Sequence, residues 1–313
     1  MRPLGALAWS VLVVVASACG SASDPPLAGD QPPQAEAPSE LVPNAFEISI
    51  GRKRTLGERF ELDRSRHVEK MRVEVGADGE RRESVETIDA SFRGVGEVVS
   101  LDRDGEARAY FYTIESFVET RGPHAWSLPR GTTIRVVRAA RAIDAVIEVD
   151  GRPASERQRE AVAGFIDTTT TGAGDDVVFG TKTPKRVDEA WSARTDLVRE
   201  RLAEEGMSVP DHGIRATARL VGVEPTPEGH RRKVRCQLTL QGFDLSDLPA
   251  GARVSDASLT SSVDMVLAPD GFLLEQASRR TTRLTVTFER PGEPPRSLEL
   301  RDTTAYESHN RPL

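Results

Sequence analysis

The sequence has little of the material from which catalytic and metal sites are usually built. It contains no Ser nucleophile elbow, no His-Glu-x-x-His zinc motif, no Gly-rich phosphate loop and no Cys-x-x-Cys pair. The five histidines lack the spacing of a ligand set and stand at 67, 124, 212, 230 and 309. We therefore expect no catalytic residues, no metal site and no cofactor, and the sequence argues against an enzyme.

One histidine has a more suggestive neighbourhood than the others. His124 stands beside Trp126 in a Gly/Pro-rich loop, and such a loop could line a pocket. An ordinary surface histidine is the simpler interpretation, because loops lie on protein surfaces.

Excess positive charge is also missing. The formal net charge is −7, so the chain offers no electrostatic footprint for nucleic acid, and we expect no nucleic-acid partner. Two basic clusters stand out, Arg52-Lys53-Arg54 and His230-Arg231-Arg232-Lys233. The first could meet anionic lipid headgroups, and edge-strand protection explains the second without any ligand, so neither cluster requires a binding function.

Residues 1–18 have the features of a secretory signal. Arg2 precedes an apolar stretch, residues 4–15, which ends in Ala16-Ser17-Ala18-Cys19. The stretch is shorter than the ~20 residues that a membrane-spanning helix needs. The sequence therefore predicts export, with cleavage between Ala18 and Cys19.

The cleavage region resembles a lipobox, the signal of bacterial lipoproteins. In that family the Cys sulfur takes a diacylglyceryl group and the new amino terminus takes a third acyl chain, with palmitate as the expected acyl group. The resemblance implies lipidation at Cys19, which would anchor the protein permanently because two chains already bind stably. Ala16 departs from the family's preferred Leu, and ordinary secretory cleavage after Ala18 is the alternative.

The residue after Cys19 bears on location. In lipoproteins of two-membrane bacteria, Asp at this position commonly retains the protein at the inner membrane, whereas Gly20 stands here. By that resemblance we expect an outer-membrane lipoprotein that faces the periplasm, or one at the cell surface. The membrane is then a partner through the anchor at Cys19.

Cysteine is scarce as well, since the chain has only Cys19 and Cys236. With the sulfur of Cys19 alkylated, Cys236 has no partner within the chain, and the fold must persist in an oxidising compartment without a disulfide. Cys236 alternates with apolar residues, so we expect it to be a buried small hydrophobe.

The chain divides into a tether and a folded region. Residues 19–44 are rich in Pro, Ala and Ser and cannot build a core, so they predict a disordered tether. Residues 45–313 are long enough to bury a substantial core, with approximate halves at 45–185 and 186–313.

The folded region is dominated by a period of two, which predicts strands with one buried face. The alternating sets are Val234, Cys236, Leu238 and Leu240, then Leu284, Val286 and Phe288. Within 106–119 we place Tyr110, Tyr112, Ile114 and Val118 on one face, with Phe111 and Phe117 on the other. Asp-Gly pairs at 78–79, 104–105, 150–151 and 270–271 predict hairpin turns between long antiparallel strands at 58–75, 81–102 and 106–119.

Two segments change to a helical period. Residues 155–166 begin with a capping box of Ser155 and Gln158, and residues 194–205 end at Gly206, a suitable residue after a helix. The fold class that follows is mainly β with a few short helices (α+β): long, curved antiparallel sheets in two similar halves, with a half-barrel-like arrangement.

The whole folded part resembles a group of uncharacterised bacterial lipoproteins with a β-rich domain of unknown function. Val187-Asp188-Glu189-Ala190-Trp191 is similar to their Val-Gly-Asp-x-Trp turn without its Gly, and Ala218-Arg219-Leu220-Val221-Gly222-Val223-Glu224 fits the same pattern. The fold type also resembles the lipoprotein carriers LolA and LolB, in which curved sheets close over an apolar cavity. That second resemblance rests on fold type alone.

Three functions follow as hypotheses. The first is a non-catalytic, membrane-anchored protein that binds other envelope proteins or has a structural role. The second is a periplasmic carrier or sensor of an apolar or lipid ligand, because curved sheets can enclose one. The third is an enzyme, which the missing constellations disfavour. An apolar cavity would favour the carrier, and an exposed apolar patch the interaction protein.

Overall fold

The computed structural model describes residues 45–76, 78–102, 107–138, 145–166, 175–204, 206–246, 248–289, 292 and 294–313. The predicted signal peptide (1–18), its cleavage site at Ala18, the lipidation residue Cys19 and the tether (19–44) lie outside these residues, as does the Asp-Gly turn at 104–105.

Long strands dominate the described residues. Those of the first half are β1 (Phe46–Ile48), β2 (Arg59–Val75), β3 (Arg81–Leu101), β4 (Ala107–Arg121), β5 (His124–Leu128), β6 (Thr133–Val137), β7 (Val146–Val149), β8 (Arg152–Pro153) and β9 (Thr181–Lys185). The others are β10 (Ala190–Ser192), β11 (Met207–Ser208), β12 (Ile214–Thr226), β13 (Gly229–Gln241), β14 (Asp244–Leu245), β15 (Ala252–Leu267), β16 (Leu273–Phe288) and β17 (Arg296–Pro312). The helices are α1 (Glu156–Ala163), α2 (Asp175–Phe179) and α3 (Thr195–Glu204), with a 3-10 turn at Asp211–Gly213.

Thirteen of these strands form one antiparallel sheet, in the order β10-β12-β13-β15-β16-β17-β2-β3-β4-β6-β7-β8, with β5 paired to β4. The last strand of the chain, β17, pairs with β2 along its length, from Ser297 opposite Val75 to Pro312 opposite Phe60. The sheet therefore runs without a break from strands of the second half to strands of the first. The prediction of a mainly β protein with a few short helices and long antiparallel strands is confirmed.

Local sequence signals explain where the helices and turns lie. The Ser155 hydroxyl accepts from the backbone N–H of Gln158, and the Gln158 side chain accepts from the backbone of Ser155, so the predicted capping box is present at α1. Gly206 follows α3 with a φ of +77°, as predicted. The short helix α2 was not predicted, because five residues give too little periodicity to recognise.

The large sheet has one buried face and one exposed face, which we call the inward and outward faces. Val234, Cys236, Leu238 and Leu240 of β13 are all buried on the inward face, as are Leu284 and Val286 of β16. Cys236 is 1% exposed, so its predicted burial is confirmed. It lies opposite Ala218 of β12 and Val263 of β15.

Three apolar clusters pack against the inward face. The first joins β2, β3, β4, β6 and β7 to α1 and includes Phe92, Phe117 and Phe165. The second packs α3 on β12, β13, β15 and β16. The third lies under β1 and includes Cys236 and Met265.

The predicted faces of β4 are wrong beyond Ile114. A bulge places Glu115 as an extra residue between Ile114, which pairs with Gly94, and Ser116, which pairs with Arg93. The extra residue reverses the side-chain alternation, so Phe117 is 2% exposed, whereas Val118 is 43% exposed. The bulge also brings Glu119 onto the inward face, where it is buried.

Candidate functional site

Buried and partly buried polar side chains cross the middle of the inward face, in a position where a sheet normally carries apolar residues. We call this set the polar band. It comprises Arg64, Arg66 and Lys70 of β2, Ser261 of β15, Gln276, Ser278, Arg280 and Thr282 of β16, and Asp302, Thr304, Tyr306, Ser308 and Asn310 of β17.

The pairing register places these side chains on one face. Arg66 lies opposite Tyr306, which lies opposite Ser278, and directly opposed residues of a sheet share a face. The neighbouring row across β3, β2, β17, β16, β15 and β13 reads Ile88, Val68, Thr304, Arg280, Ser261, Leu238. Polar residues in this row are thus bounded by buried apolar ones on both sides.

The end of the polar band nearest α1 is tied to the backbone just after that helix. The Phe165 carbonyl oxygen accepts from Arg64 Nη1 and, at 3.5 Å, from the Tyr306 hydroxyl. Phe165 itself packs on Phe92, with ring centroids 5.9 Å apart. A side chain at Gly164 would collide with the Arg66 guanidinium, so a larger residue there would force this flexible side chain to shift.

The middle of the polar band is less completely hydrogen-bonded. Arg280 Nη2 donates to Thr304 Oγ1 at 3.4 Å, and Thr304 Oγ1 donates to Asp302 Oδ1 at 3.1 Å. Within the described part of the chain, three hydroxyl oxygens that are screened from solvent have no hydrogen-bond partner. They belong to Ser261, Ser278 and Thr282. Buried hydroxyls without partners are costly, and in folded proteins an ordered water, an ion or a ligand usually satisfies them.

Charged side chains continue from the polar band towards β3 and β4. The Arg66 guanidinium lies 3.7 Å from the Glu119 carboxylate, and small Ala90 separates the two on β3. Arg121 contacts Glu119 at 3.7 Å and Glu86 at 3.6 Å. These contacts form a chain of alternating charges that leads out of the buried face.

Burial dominates the electrostatics of the cations in the polar band. It lowers the pKa of Lys70 to about 8, although the carboxylates of Glu86 and Asp302 oppose the shift. Burial also lowers the pKa of Arg66, which Glu119 opposes, and the pKa of Arg280, which Asp302 opposes. The positive charge of Arg66 makes a further, smaller contribution that lowers the pKa of Arg280.

A pocket of about 720 Å³ opens beside this chain of charges. Its lining is Val85, Glu86, Thr87, Arg121, Gly122, His124, Glu156, Arg157 and Glu160. Glu86 and Arg121 belong both to the pocket and to the chain of charges, so the pocket borders that chain. His124 lines the pocket and is exposed there, but it begins strand β5, so the prediction that it lies in a loop was wrong.

The other residues that the sequence singled out have structural partners. Arg52 and Arg54 bind Glu58, and the Arg54 guanidinium lies 4.6 Å from the ring centroid of Phe272. Arg232 donates to the carbonyl oxygens of residues 47, 268 and 269 and so ties β1 to the β15–β16 turn. Both basic clusters therefore hold the fold together.

Asp188 occupies the position at which the resembled lipoprotein turn has Gly. Its φ is +66°, a left-handed conformation that Gly adopts freely and Asp tolerates better than most residues. Two residues beyond Glu189, Trp191 Nε1 donates to the Phe179 carbonyl oxygen at 2.8 Å. The turn is thus a tight connection whose backbone suits Gly.

Sequence reasoning missed the polar band altogether. Around Arg280 both faces of β16 are polar, so no apolar period marks which residues point inward. One signal could have found it: Leu284 and Val286 are apolar and two residues apart, which marks their face as the buried one. Continuing the same alternation towards the start of the strand places four polar residues on that face, Gln276, Ser278, Arg280 and Thr282.

No group of three His, Cys, Asp or Glu side chains able to hold a metal ion occurs among the described residues. In the same part of the chain, no helix has the length and apolarity to cross a bilayer.

No protein-family model matches the sequence, and no curated protein matches it significantly. Among solved structures the chain is similar to one from the crystal structure of Pseudomonas aeruginosa OccK11 (OpdR), with a TM-score of 0.21 and 8% sequence identity. The alignment covers 84% of this chain and 100% of that chain. A TM-score this low carries no argument about fold or function.

Proposed function

We propose that this protein is a membrane-anchored, non-catalytic carrier or sensor of an amphiphilic ligand. The anchor is Cys19, cleaved after Ala18, and the location is the outer membrane facing the periplasm. The folded region presents a curved, half-barrel-like sheet, whose two similar halves (45–185 and 186–313) meet where β2 pairs with β17. The ligand lies along the inward face.

One observation carries the proposal: a polar band crosses an otherwise apolar, buried face. Ser261, Ser278 and Thr282 each keep a hydroxyl oxygen without a hydrogen-bond partner in the described residues, although each side chain is at least nine-tenths buried. A folded protein avoids such groups unless something else satisfies them. A ligand with one polar group and apolar chains would satisfy the hydroxyls and also contact the apolar clusters on either side.

The outward face supports the carrier more than a role in binding envelope proteins. Cross-strand ion pairs cover it, among them Arg93 with Asp63 at 2.5 Å and Arg235 with Asp264 at 2.6 Å. The large apolar side chains that are exposed in the described residues are distributed over several elements instead of forming one stripe. We therefore keep an envelope interaction or structural role, the first hypothesis from the sequence, as the second candidate, because the described residues present no continuous exposed apolar stripe.

The test is native mass spectrometry of the chain carrying Cys19→Ser, which removes the predicted lipid and so any adduct due to it. We expect a fraction of the purified protein to carry a bound amphiphile at one per chain, which organic extraction releases and identifies. Stripped protein should regain the adduct when it is incubated with a total envelope lipid extract. Protein that never carries an adduct under either condition would contradict the proposal.

A further inference from the structure

We infer that the polar group of the ligand is an oxyanion, a phosphate or a carboxylate, held between Arg66 and Arg280 with the hydroxyls of Ser278, Ser261 and Thr282 beside it. This inference rests on the proposed function and names the ligand's chemical class.

The charge of the polar band favours an anion. Its side chains include four cations, Arg64, Arg66, Lys70 and Arg280, but only one carboxylate, Asp302. Taking a positive charge out of water is costly unless a negative charge accompanies it. Glu119 approaches Arg66 from β4, Glu86 approaches Lys70 from β3, and Asp302 is linked to Arg280 through Thr304. The four cations still outnumber these three carboxylates.

The arrangement of the two arginines suits an oxyanion. Arg66 lies opposite Tyr306 and Arg280 lies opposite Thr304, so the two guanidinium groups flank β17 diagonally, one row apart. A planar guanidinium group matches the geometry of phosphate or carboxylate oxygens, and both arginines lie on the same face of the sheet.

Two of the hydroxyls without hydrogen-bond partners lie in the same rows of the sheet as the two arginines. Ser278 is on β16 opposite Tyr306, and Ser261 is on β15 opposite Arg280. Each hydroxyl has a hydrogen to donate, and an oxyanion has several lone pairs to accept it. Thr282, the next inward residue of β16, extends the set.

Apolar side chains on either side of the polar band offer contacts for the rest of an amphiphile. Leu238 and Leu259 lie on the β13–β15 side of the polar band, and Ile88 and Phe92 lie on the β3 side. Acyl chains that leave the oxyanion in either direction would meet buried apolar side chains, and their burial contributes ~0.8 kcal/mol per methylene.

The test compares four probes that share a dodecyl chain and differ in headgroup: dodecyl phosphate, dodecanoate, dodecyltrimethylammonium and dodecyl maltoside. Calorimetric titration below their micellar concentrations uses the chain with Cys19→Ser. We expect the two anionic probes to bind at least about tenfold more tightly than the neutral and cationic ones, as charge-assisted hydrogen bonds require. Comparison of phosphate with carboxylate distinguishes the two oxyanions.

Substitutions in β16 test which residues cause the preference for anionic probes. Arg280→Met should lower dodecyl phosphate affinity about tenfold and leave maltoside binding unchanged, because the apolar surface remains. Arg279→Met, at the exposed neighbour on the opposite face of β16, is the matched control and should change neither affinity. Thr282→Val removes a hydroxyl without a partner at nearly constant volume, so it should preserve thermal stability and still weaken dodecyl phosphate binding.

The outcomes separate this inference from the proposed function. Equal binding of all four probes, or an unchanged preference in both Arg280→Met and Thr282→Val, would overturn the oxyanion site and leave the carrier in place. Binding of none of the probes would count against the carrier itself.

Discussion

The Arg66 guanidinium and the Glu119 carboxylate meet at 3.7 Å across two strands of the sheet, over the small side chain of Ala90. Glu119 is 3% exposed, and it reaches this position only because the bulge at Glu115 reverses the faces of β4. The pair therefore links the local geometry of one strand to the charge of the polar band.

Removing one member of this pair should destabilise the folded protein. Glu119→Gln should lower the free energy of unfolding by about 2–4 kcal/mol, because Arg66 would remain buried without its counter-charge. The double variant Arg66→Met, Glu119→Leu should be at least as stable as either single variant. Urea unfolding measures all three, with Glu115→Gln at the exposed bulge as the control. A Glu119→Gln cost no larger than that of Glu115→Gln would show that the pair contributes nothing.

The bulge predicts that alanine substitutions at two adjacent residues lower the free energy of unfolding by very different amounts. Phe117→Ala should cost about 3–5 kcal/mol, because a large buried ring is lost from the first apolar cluster. Val118→Ala should cost less than about 1 kcal/mol, because the side chain is largely exposed. Chemical denaturation of the two variants compares them directly. A larger cost for Val118→Ala than for Phe117→Ala would show that the side chains of β4 alternate regularly, without the bulge.

Lys70 should make stability depend on pH in the alkaline range. Its folded pKa of about 8 lies below the ordinary value of 10.5, so between these values the unfolded chain binds more protons than the folded one. Stability from this group therefore rises with pH from about 8 to 10.5 and is constant outside that window. The full shift corresponds to about 3 kcal/mol, and solvent screening at the partly exposed ammonium group reduces the gain below that value.

Lys70→Met should abolish this rise and increase stability below pH 8, since no buried charge remains to desolvate. Lys182→Met, at an exposed residue of β9, is the control and should leave the pH profile unchanged. Unfolding free energies measured at intervals from pH 7 to pH 11 check both. Parallel profiles for the protein and for Lys70→Met would contradict the perturbed pKa.

Membrane attachment should depend on Cys19 alone. Cys19→Ser should move the protein from the membrane fraction to the soluble fraction or leave it uncleaved, because no acyl chain can be added. Cys236→Ala is the matched cysteine control and should stay with the membrane, since Cys236 is buried in the sheet. If Cys19→Ser still pellets with membranes after a high-salt wash, the protein is not held by a lipid at that residue.

The sequence predicted those parts of the fold in which a local pattern is complete. Cys236 and its neighbours alternate cleanly over four pairs, so their faces followed from the period alone, and Ser155 with Gln158 marked the start of α1. β4 failed from Phe117 onward because a bulge adds a residue without any change in composition, and Glu115 looks like any exposed strand residue.

The polar band was hidden for a different reason. Serine, threonine and arginine occur on both faces of β16 around Arg280, so polarity does not separate the inward residues from the outward ones. The pairing of β17 with β2 was equally invisible, because strands at opposite ends of a chain carry no local signal of their contact. Only that pairing brings Arg66 next to Tyr306 and Ser278.

Photo-crosslinking tests the central claim, that a ligand lies on the inward face, most directly. The probe is a fatty acid with a diazirine at mid-chain, bound to the chain carrying Cys19→Ser, with the label located by mass spectrometry. We predict label on inward residues that flank the polar band, such as Leu238 and Leu259, and none on their outward neighbours Thr239 and Thr260. Excess dodecyl phosphate should suppress the label. Labelling confined to the outward face, or to loops away from the polar band, would contradict the account.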